Sequence, residues 1–336
     1  MTDDVDVIDT HAHIVPLSLL TELSDTGVSG FSASRTDEGW VVSVPGMGDT
    51  RPIRPRMIEP GPRRRYLSET GITRQILSPW MDIQSGRFAA AGEARSWTRR
   101  LNDAMCAAAV ELGTVALASV DLADGEQAAA DLAELHARPE IAGVILNTNP
   151  QDAPELHDKL LDPLWTVAEQ QRIPVVLHPP TCGPSGALST IGSMGNVHGR
   201  LVDNSIAVSQ LILHGLLDRH PGLRVVLVHG GGFLPYQAAR LDGGYRTKEA
   251  FAGELERGRP SAYLPDFYYD TVGMSEQAIA FLVGLTGAER VLLGSDYPFA
   301  LGDPQPVRTV RSAGLDEAAV PAILRDNSVA LFGRNA

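Results

Sequence analysis

The sequence is short of cysteine. Cys106 and Cys182 stand 76 residues apart and form no CxxC pair. That argues against a disulfide framework and fits a reducing cytosol. Cys106 falls in an apolar helical pattern (Ala104 to Val110) and reads as a small core residue. A leader is also missing from the expected pattern. The chain opens Thr2-Asp3-Asp4, with no basic n-region and no apolar h-region, so no signal peptide is expected. No apolar run approaches the ~18 residues of a membrane span. Positive charge is scarce: 28 basic residues face 41 acidic ones, a net charge of -13, which argues against nucleic acid or an anionic membrane as the main partner. An anionic small molecule stays possible, because local arginines outweigh distant charges screened over ~10 Å. No internal repeat or low-complexity tract stands out.

What is present is a rhythm. A first strand ends in Val5-Asp6-Val7-Ile8-Asp9-Thr10-His11-Ala12-His13. Residues 17–60 then read as an excursion, with a short helix (Leu17 to Leu23), a small hairpin around Trp40-Val41-Val42-Ser43-Val44, and a basic cluster from Arg51 to Arg56. From Arg74 onward strands and helices alternate. Strands are expected over Arg74–Trp80, Val115–Leu122, Ile141–Asn147, Ile173–His178, Leu223–His229, Phe267–Val272 and Arg290–Asp296. Helices are expected over Gly92–Leu112, Gly125–Arg138, Asp158–Gln171 and Val202–Arg219, with a polar second excursion over Arg240–Pro265. Short apolar strands without alternating polarity indicate a parallel sheet covered on its outside. Eight such units in a 336-residue chain predict one closed α/β domain, a (β/α)8 TIM barrel spanning 1–336 with the 17–60 insertion after its first strand.

Active sites of such barrels lie at the C-terminal ends of the strands. The nine histidines sort accordingly. His11 and His13 end the first strand, where residues i and i+2 aim to one side. His178 ends the fifth, His229 the sixth, and Asp296 the eighth. His136, His157, His198, His214 and His220 fall in helices or loops and read as surface or structural residues. One strand-end histidine reads as a core residue. Five potential ligands at one end of a barrel point instead to a metal with an open position, which also removes the penalty of burying so many ionisable groups.

His11-Ala12-His13, His178, His229 with Gly230-Gly231-Gly232, and Gly294-Ser295-Asp296-Tyr297-Pro298-Phe299 together resemble the amidohydrolase superfamily. More narrowly, they resemble its branch of metal-dependent decarboxylases typified by aminocarboxymuconate-semialdehyde decarboxylase. The resemblance implies that His11, His13, His178 and Asp296 hold one divalent ion, with zinc the first choice, and that His229 is the catalytic histidine beside it. Two-metal members carry a bridging lysine on the fourth strand; Gly143-Val144-Ile145-Leu146-Asn147 has none, which points to one metal. Arg51-Pro52 matches the family's excursion arginine that grips a substrate carboxylate, a task suited to a two-pronged guanidinium. Arg240 resembles an arginine that, in dimeric relatives, reaches into the partner's site, so a homodimer is expected. Trp80 and Phe299 are expected to wall the pocket. The family's aromatic residue after His178 has no clear counterpart here, and His198 or Asn196 stands in its place.

The implied activity is decarboxylation of a small unsaturated or aromatic carboxylate by a cytoplasmic enzyme, with His229 and Asp296 moving the proton. The same site could instead serve a hydrolase or hydratase acting on a lactone, amide, C–C or double bond, with Asp296 as base. A barrel without catalysis, acting as a binding subunit, is a third reading; its complete ligand set argues against it.

Overall fold

The computed structural model describes residues 6–84, 88, 92–150, 153–180, 183–249, 253–273 and 275–333. Val5 of the first strand, and Thr181 and Cys182 of the loop after His178, lie outside them. The barrel strands are β1 (Ile8–Ile14), β5 (Arg74–Pro79), β6 (Ala116–Ala118), β7 (Ile141–Asn147), β8 (Pro174–His178), β9 (Arg224–Leu227), β10 (Tyr268–Asp270) and β11 (Val291–Leu292). They pair in parallel and in that order, each with its sequential neighbour. The ring closes where Thr10 N–H donates to Leu293 O at 2.9 Å and His13 N–H to Tyr297 O at 2.7 Å. The fold is a (β/α)8 barrel.

Alternate residues of a strand enter different layers, which is why β7, β8 and β9 are apolar along most of their length. Ile145, Val176 and Val226 belong to one buried cluster with Ile8, Ile76, Leu117 and Leu292. Their neighbours Val144, Leu146, Val175, Leu177, Val225 and Leu227 join the cluster that receives the surrounding helices. Both faces of a parallel barrel strand are dry, so burial favours Val, Ile and Leu at every position.

Between β1 and β5 the chain leaves the barrel. Here β2 (Ser32–Thr36), β3 (Gly39–Val44) and β4 (Gly48–Asp49) form a separate antiparallel sheet. It docks through Phe31, whose ring stacks on buried Trp97 of the helix Glu93–Leu112 with centroids 3.7 Å apart and planes 8° apart. Val42 and Val44 are buried in the same cluster as Trp97. This packing carries the chain back over the barrel mouth at Arg51.

Several boundaries differ from the sequence expectations. β1 runs on through His11 and His13, because ladder bonds to β5 and to Tyr297 continue that far. The expected helix Val202–Arg219 is two, Arg200–Leu213 and Leu216–Arg219, broken at Gly215 in the left-handed region (φ +67°). The expected excursion from Arg240 begins inside the helix Leu234–Thr247, which Pro235 initiates and which buries Leu234 and Ala238, four residues apart. The strands expected to end at His229 and Asp296 stop earlier, at Leu227 and Leu292.

Candidate metal centre and active-site cavity

His11 and His13 sit side by side on β1, and His178 closes β8. His229 and Asp296 lie just past their strands with positive φ, +53° and +58°. L residues adopt this conformation at a cost of order 1 kcal/mol or more, and such strain gathers at functional sites. Asp296 is held there by β1: its N–H donates to His11 O at 2.8 Å, and neighbouring Ser295 bonds buried Asp9 through both its backbone N–H and its hydroxyl. Gly294 precedes them because space is missing. A Cβ there would lie 3.0 Å from Asp270 Cβ and 3.2 Å from His11 Cβ.

One potential ligand atom from each of His11, His13, His178 and Asp296 lies within 4.8 Å of the other three, and all four side chains are buried. The outward nitrogens are already committed. His11 Nδ1 lies 2.6 Å from Asp270 Oδ2, His13 Nδ1 3.1 Å from Pro79 O, and His178 Nδ1 2.8 Å from Pro179 O. Carbonyl and carboxylate oxygens only accept, so each Nδ1 carries a proton, and each ring, once neutral, turns an Nε2 lone pair inward. The His11 and His13 Nε2 atoms approach to 3.1 Å. His178 Nε2 and Asp296 Oδ1 are buried without a hydrogen-bond partner among the described residues. Converging lone pairs and orphaned buried acceptors are what a cation would satisfy. The residues therefore fit one divalent metal ion.

The electrostatics agree. Burial lowers the pKa of both His13 and His178, keeping them neutral. For His11 burial also lowers the value, but the charge and hydrogen bond of Asp270, with Asp296 behind, push it up to about 9. Burial would raise Asp296; the imidazoles of His13, His11 and His229 beside it hold it below the usual carboxylate value.

His229 stands against this group without belonging to it. Its ring centroid is 5.3 Å from those of His11 and His178, and its Nε2 is 4.0 Å from Asp296 Oδ2. Burial pushes its pKa down to about 4. The Asn204 side-chain amide donates to Val228 O at 2.9 Å and meets His229 Nδ1 at 3.2 Å. Because Val228 O can only accept, the Asn204 nitrogen faces the ring and Nδ1 must be the acceptor. Neutral His229 therefore presents Nε2–H to the cavity.

A cavity of about 320 Å³ opens above these groups. Its wall includes His178, His229 and Asp296 together with Arg51, Trp80 and Phe299. The Arg51 guanidinium carbon is 5.3 Å from the ring centroids of both Trp80 and Phe299, and the Phe299 ring is 5.1 Å from that of His13. Asn196 and His198 line the same cavity. Arg240 is exposed on its helix and is absent from this cavity wall. Sequence reasoning missed Asp82 and Arg200, which line the cavity, and Asn204 and Asp270, which orient histidines. Asp270, an acid inside an apolar strand, carried a readable signal; the other three carried none.

A family profile described as Amidohydrolase matches residues 8–334. The chain belongs to the amidohydrolase family. A relative from Dictyostelium discoideum, 2-amino-3-carboxymuconate-6-semialdehyde decarboxylase, is 25% identical over 97% of this chain and 91% of its own length. A gamma-resorcylate decarboxylase from Polaromonas sp. is 27% identical over 74% of this chain and 79% of its own. Among solved structures, 5-carboxyvanillate decarboxylase from Sphingomonas paucimobilis superposes with a TM-score of 0.79 at 21% identity, covering 98% of this chain and 99% of that one. A dihydroxybenzoic acid decarboxylase from Polaromonas sp., solved with manganese and the inhibitor 2-nitroresorcinol, gives 0.78 at 22% identity, with 98% of each chain covered. The two structural likenesses speak for the shared fold. Among the described residues, no helix of this amidohydrolase is long and apolar enough to cross a membrane.

Proposed function

We propose that the chain is a metal-dependent, non-oxidative decarboxylase of a small aromatic or unsaturated carboxylate. The observation that carries this reading is His229, held in one tautomer beside a four-residue ligand set yet outside it, with Nε2 turned to Asp296 and the cavity. The names of the relatives point the same way. A bound divalent ion would supply Lewis-acid polarisation of the substrate oxygens. His11, His13, His178 and Asp296 would hold it. Zinc suits a set of three imidazoles and one carboxylate; the manganese in one structural neighbour makes Mn²⁺ the competing choice.

The chain's own groups divide the remaining work. Arg51, steadied between Trp80 and Phe299, grips the carboxylate, and the two rings cover the substrate's face. His229 Nε2–H hydrogen-bonds the substrate beside Asp296. The His229–Asp296 pair takes up one solvent proton and delivers it to the carbon bearing the carboxylate. CO2 then leaves, and the electrons of the broken C–C bond return to the ring. A cavity of 320 Å³ is at the small end for ligand pockets and suits a single ring.

We further read the protein as a cytoplasmic homodimer in which exposed Arg240 reaches the partner's site. The buried free thiol of Cys106 supports the reducing compartment. The rival reading, hydrolysis or hydration at the same centre, has no observation in its favour. Incubating metal-loaded protein with a panel of hydroxylated benzoates, and measuring CO2 against ring-opened or hydrated product, tests the assignment. Release of CO2 with the decarboxylated arene supports it; hydrated or hydrolysed product without CO2 overturns it.

A further inference from the structure

One carboxylate behind the metal centre touches two of its parts at once. β10 supplies none of the five groups at the barrel mouth, yet its last residue, Asp270, lies between them. Asp270 Oδ2 is 2.6 Å from His11 Nδ1, which donates because a carboxylate only accepts. Asp270 Oδ1 accepts from two backbone N–H groups, Gly230 at 3.2 Å and Val272 at 3.1 Å. The side chain is buried and absent from the cavity wall, so whatever it does, it does through these neighbours. The next residue continues the pattern. Thr271 Oγ1 accepts from Gly294 N–H at 3.2 Å, two residues before Asp296.

Gly230 belongs to a segment that cannot fix its own shape. His229, Gly230, Gly231 and Gly232 all have positive φ, between +53° and +75°. Glycines enter this region at little cost and leave it as easily. Neighbours must therefore set the turn. From one side come Asn204, against His229 Nδ1, and Ser205, whose Oγ accepts from Phe233 N–H at 2.8 Å. From the other come Tyr269 and Asp270. A Cβ on Gly231 would lie 2.8 Å from the Tyr269 ring, and Asp270 holds Gly230 N–H. Of these four anchors, Asp270 is the one that also bonds a residue of the metal-ligand set.

Resting on the reading that His229 moves the proton, we propose that Asp270 is a positioning residue that couples metal binding at His11 to the placement of His229. Its two oxygens face three donors, and only a carboxylate serves all three. The oxygen on His11 keeps a proton on Nδ1 and leaves Nε2 for the ion. The oxygen on Gly230 holds the turn that aims His229 at Asp296 and the cavity. The reacting step is unchanged. Asp270 fixes the geometry in which it takes place, joining the group that binds the ion to the group beside it.

The test joins a binding measurement to a spectroscopic one, so it stands apart from turnover. In Asp270→Asn the amide has a single oxygen, and saturating zinc selects the orientation that turns this oxygen to His11. The NH2 group then faces the Gly230 and Val272 N–H groups, donor against donor, and releases the turn. Zinc affinity, measured against a chromophoric chelator, should fall ~10–100-fold. In the zinc-saturated variant kcat should fall at least ~10-fold with KM unchanged, since other segments build the Arg51 wall. Nitrogen NMR of isotope-labelled histidine should show one tautomer for His229 in the wild-type protein and an average of two in the variant. Normal kcat per bound zinc with an unaltered His229 signal would overturn the proposal and leave Asp270 a support for His11 alone. Unchanged zinc affinity would overturn it as well. If Asn disturbs folding, Asp270→Ser, whose one oxygen cannot span both sides, takes its place with the same expectations. If affinity and tautomer respond as expected while the wild-type protein releases no CO2 from any benzoate, the decarboxylase reading fails and the coupling stands.

Discussion

His229 Nδ1 faces the side-chain nitrogen of Asn204 at 3.2 Å, and this contact decides which nitrogen of the histidine carries the proton. Asn204→Asp would reverse it. A carboxylate there accepts Nδ1–H and favours the charged ring, so the pKa of His229, now pushed down to about 4 by burial, should rise. The acid limb of the kcat–pH profile should move to higher pH, kcat at neutrality should fall by ~10-fold or more, and metal content should not change. An unshifted profile would show that the tautomer is set elsewhere.

His229 itself separates proton transfer from metal binding. Substitution by Asn should lower kcat by ~10²–10⁴-fold with the metal retained, because the ligand set of His11, His13, His178 and Asp296 is complete without it. Elemental analysis of the purified variant decides the matter; a metal-free protein would make His229 a ligand.

Metal stoichiometry should be about one ion per chain, and His178→Ala or Asp296→Ala should release it, since each removes one of four donors. Two ions per chain in the wild-type protein would contradict the arrangement.

Loading should also release a proton. In metal-free protein the His11 ring, pushed up to about 9, is protonated at neutrality, whereas burial keeps His13 and His178 neutral. A cation must displace the His11 proton, so about one proton should appear per ion bound near pH 7, and metal affinity should rise with pH until about 9 and then level off. The same raised value stabilises the metal-free fold fully below pH 6.5, and this contribution is lost as pH climbs through about 9. Calorimetry in buffers of different ionisation enthalpy counts the protons; a count of zero would remove His11 as the titrating group.

Arg51→Ala should reduce kcat/KM by the equivalent of ~1.5–3 kcal/mol, the range for a charged hydrogen bond. The lower end is expected, because the Arg51 side chain is 54% exposed and screened by solvent. Arg51→Lys should recover part of the loss. Arg54→Ala serves as the control, since Arg54 is exposed outside the cavity wall. Equal losses at Arg51 and Arg54 would indicate diffuse attraction rather than a grip.

The sequence by itself determined the barrel and the five groups at its mouth. Strand periodicity and strand ends are local properties: a chain that must bury both faces of a strand writes an apolar run, and whatever polar residue closes that run lies at the rim. Ile141–Asn147 and the histidines at 11, 13, 178 and 229 were legible for that reason. Only the tertiary structure decided the rest. Asp270 reaches His11 from 259 residues away, Asn204 reaches His229 from a neighbouring helix, and Arg51, Trp80 and Phe299 come from three separate segments to form one wall. Nothing local selects such pairs. Hydrogen-bond direction and cation–ring contact act at a few ångströms through space, and distance along the chain carries no record of them until the barrel has closed.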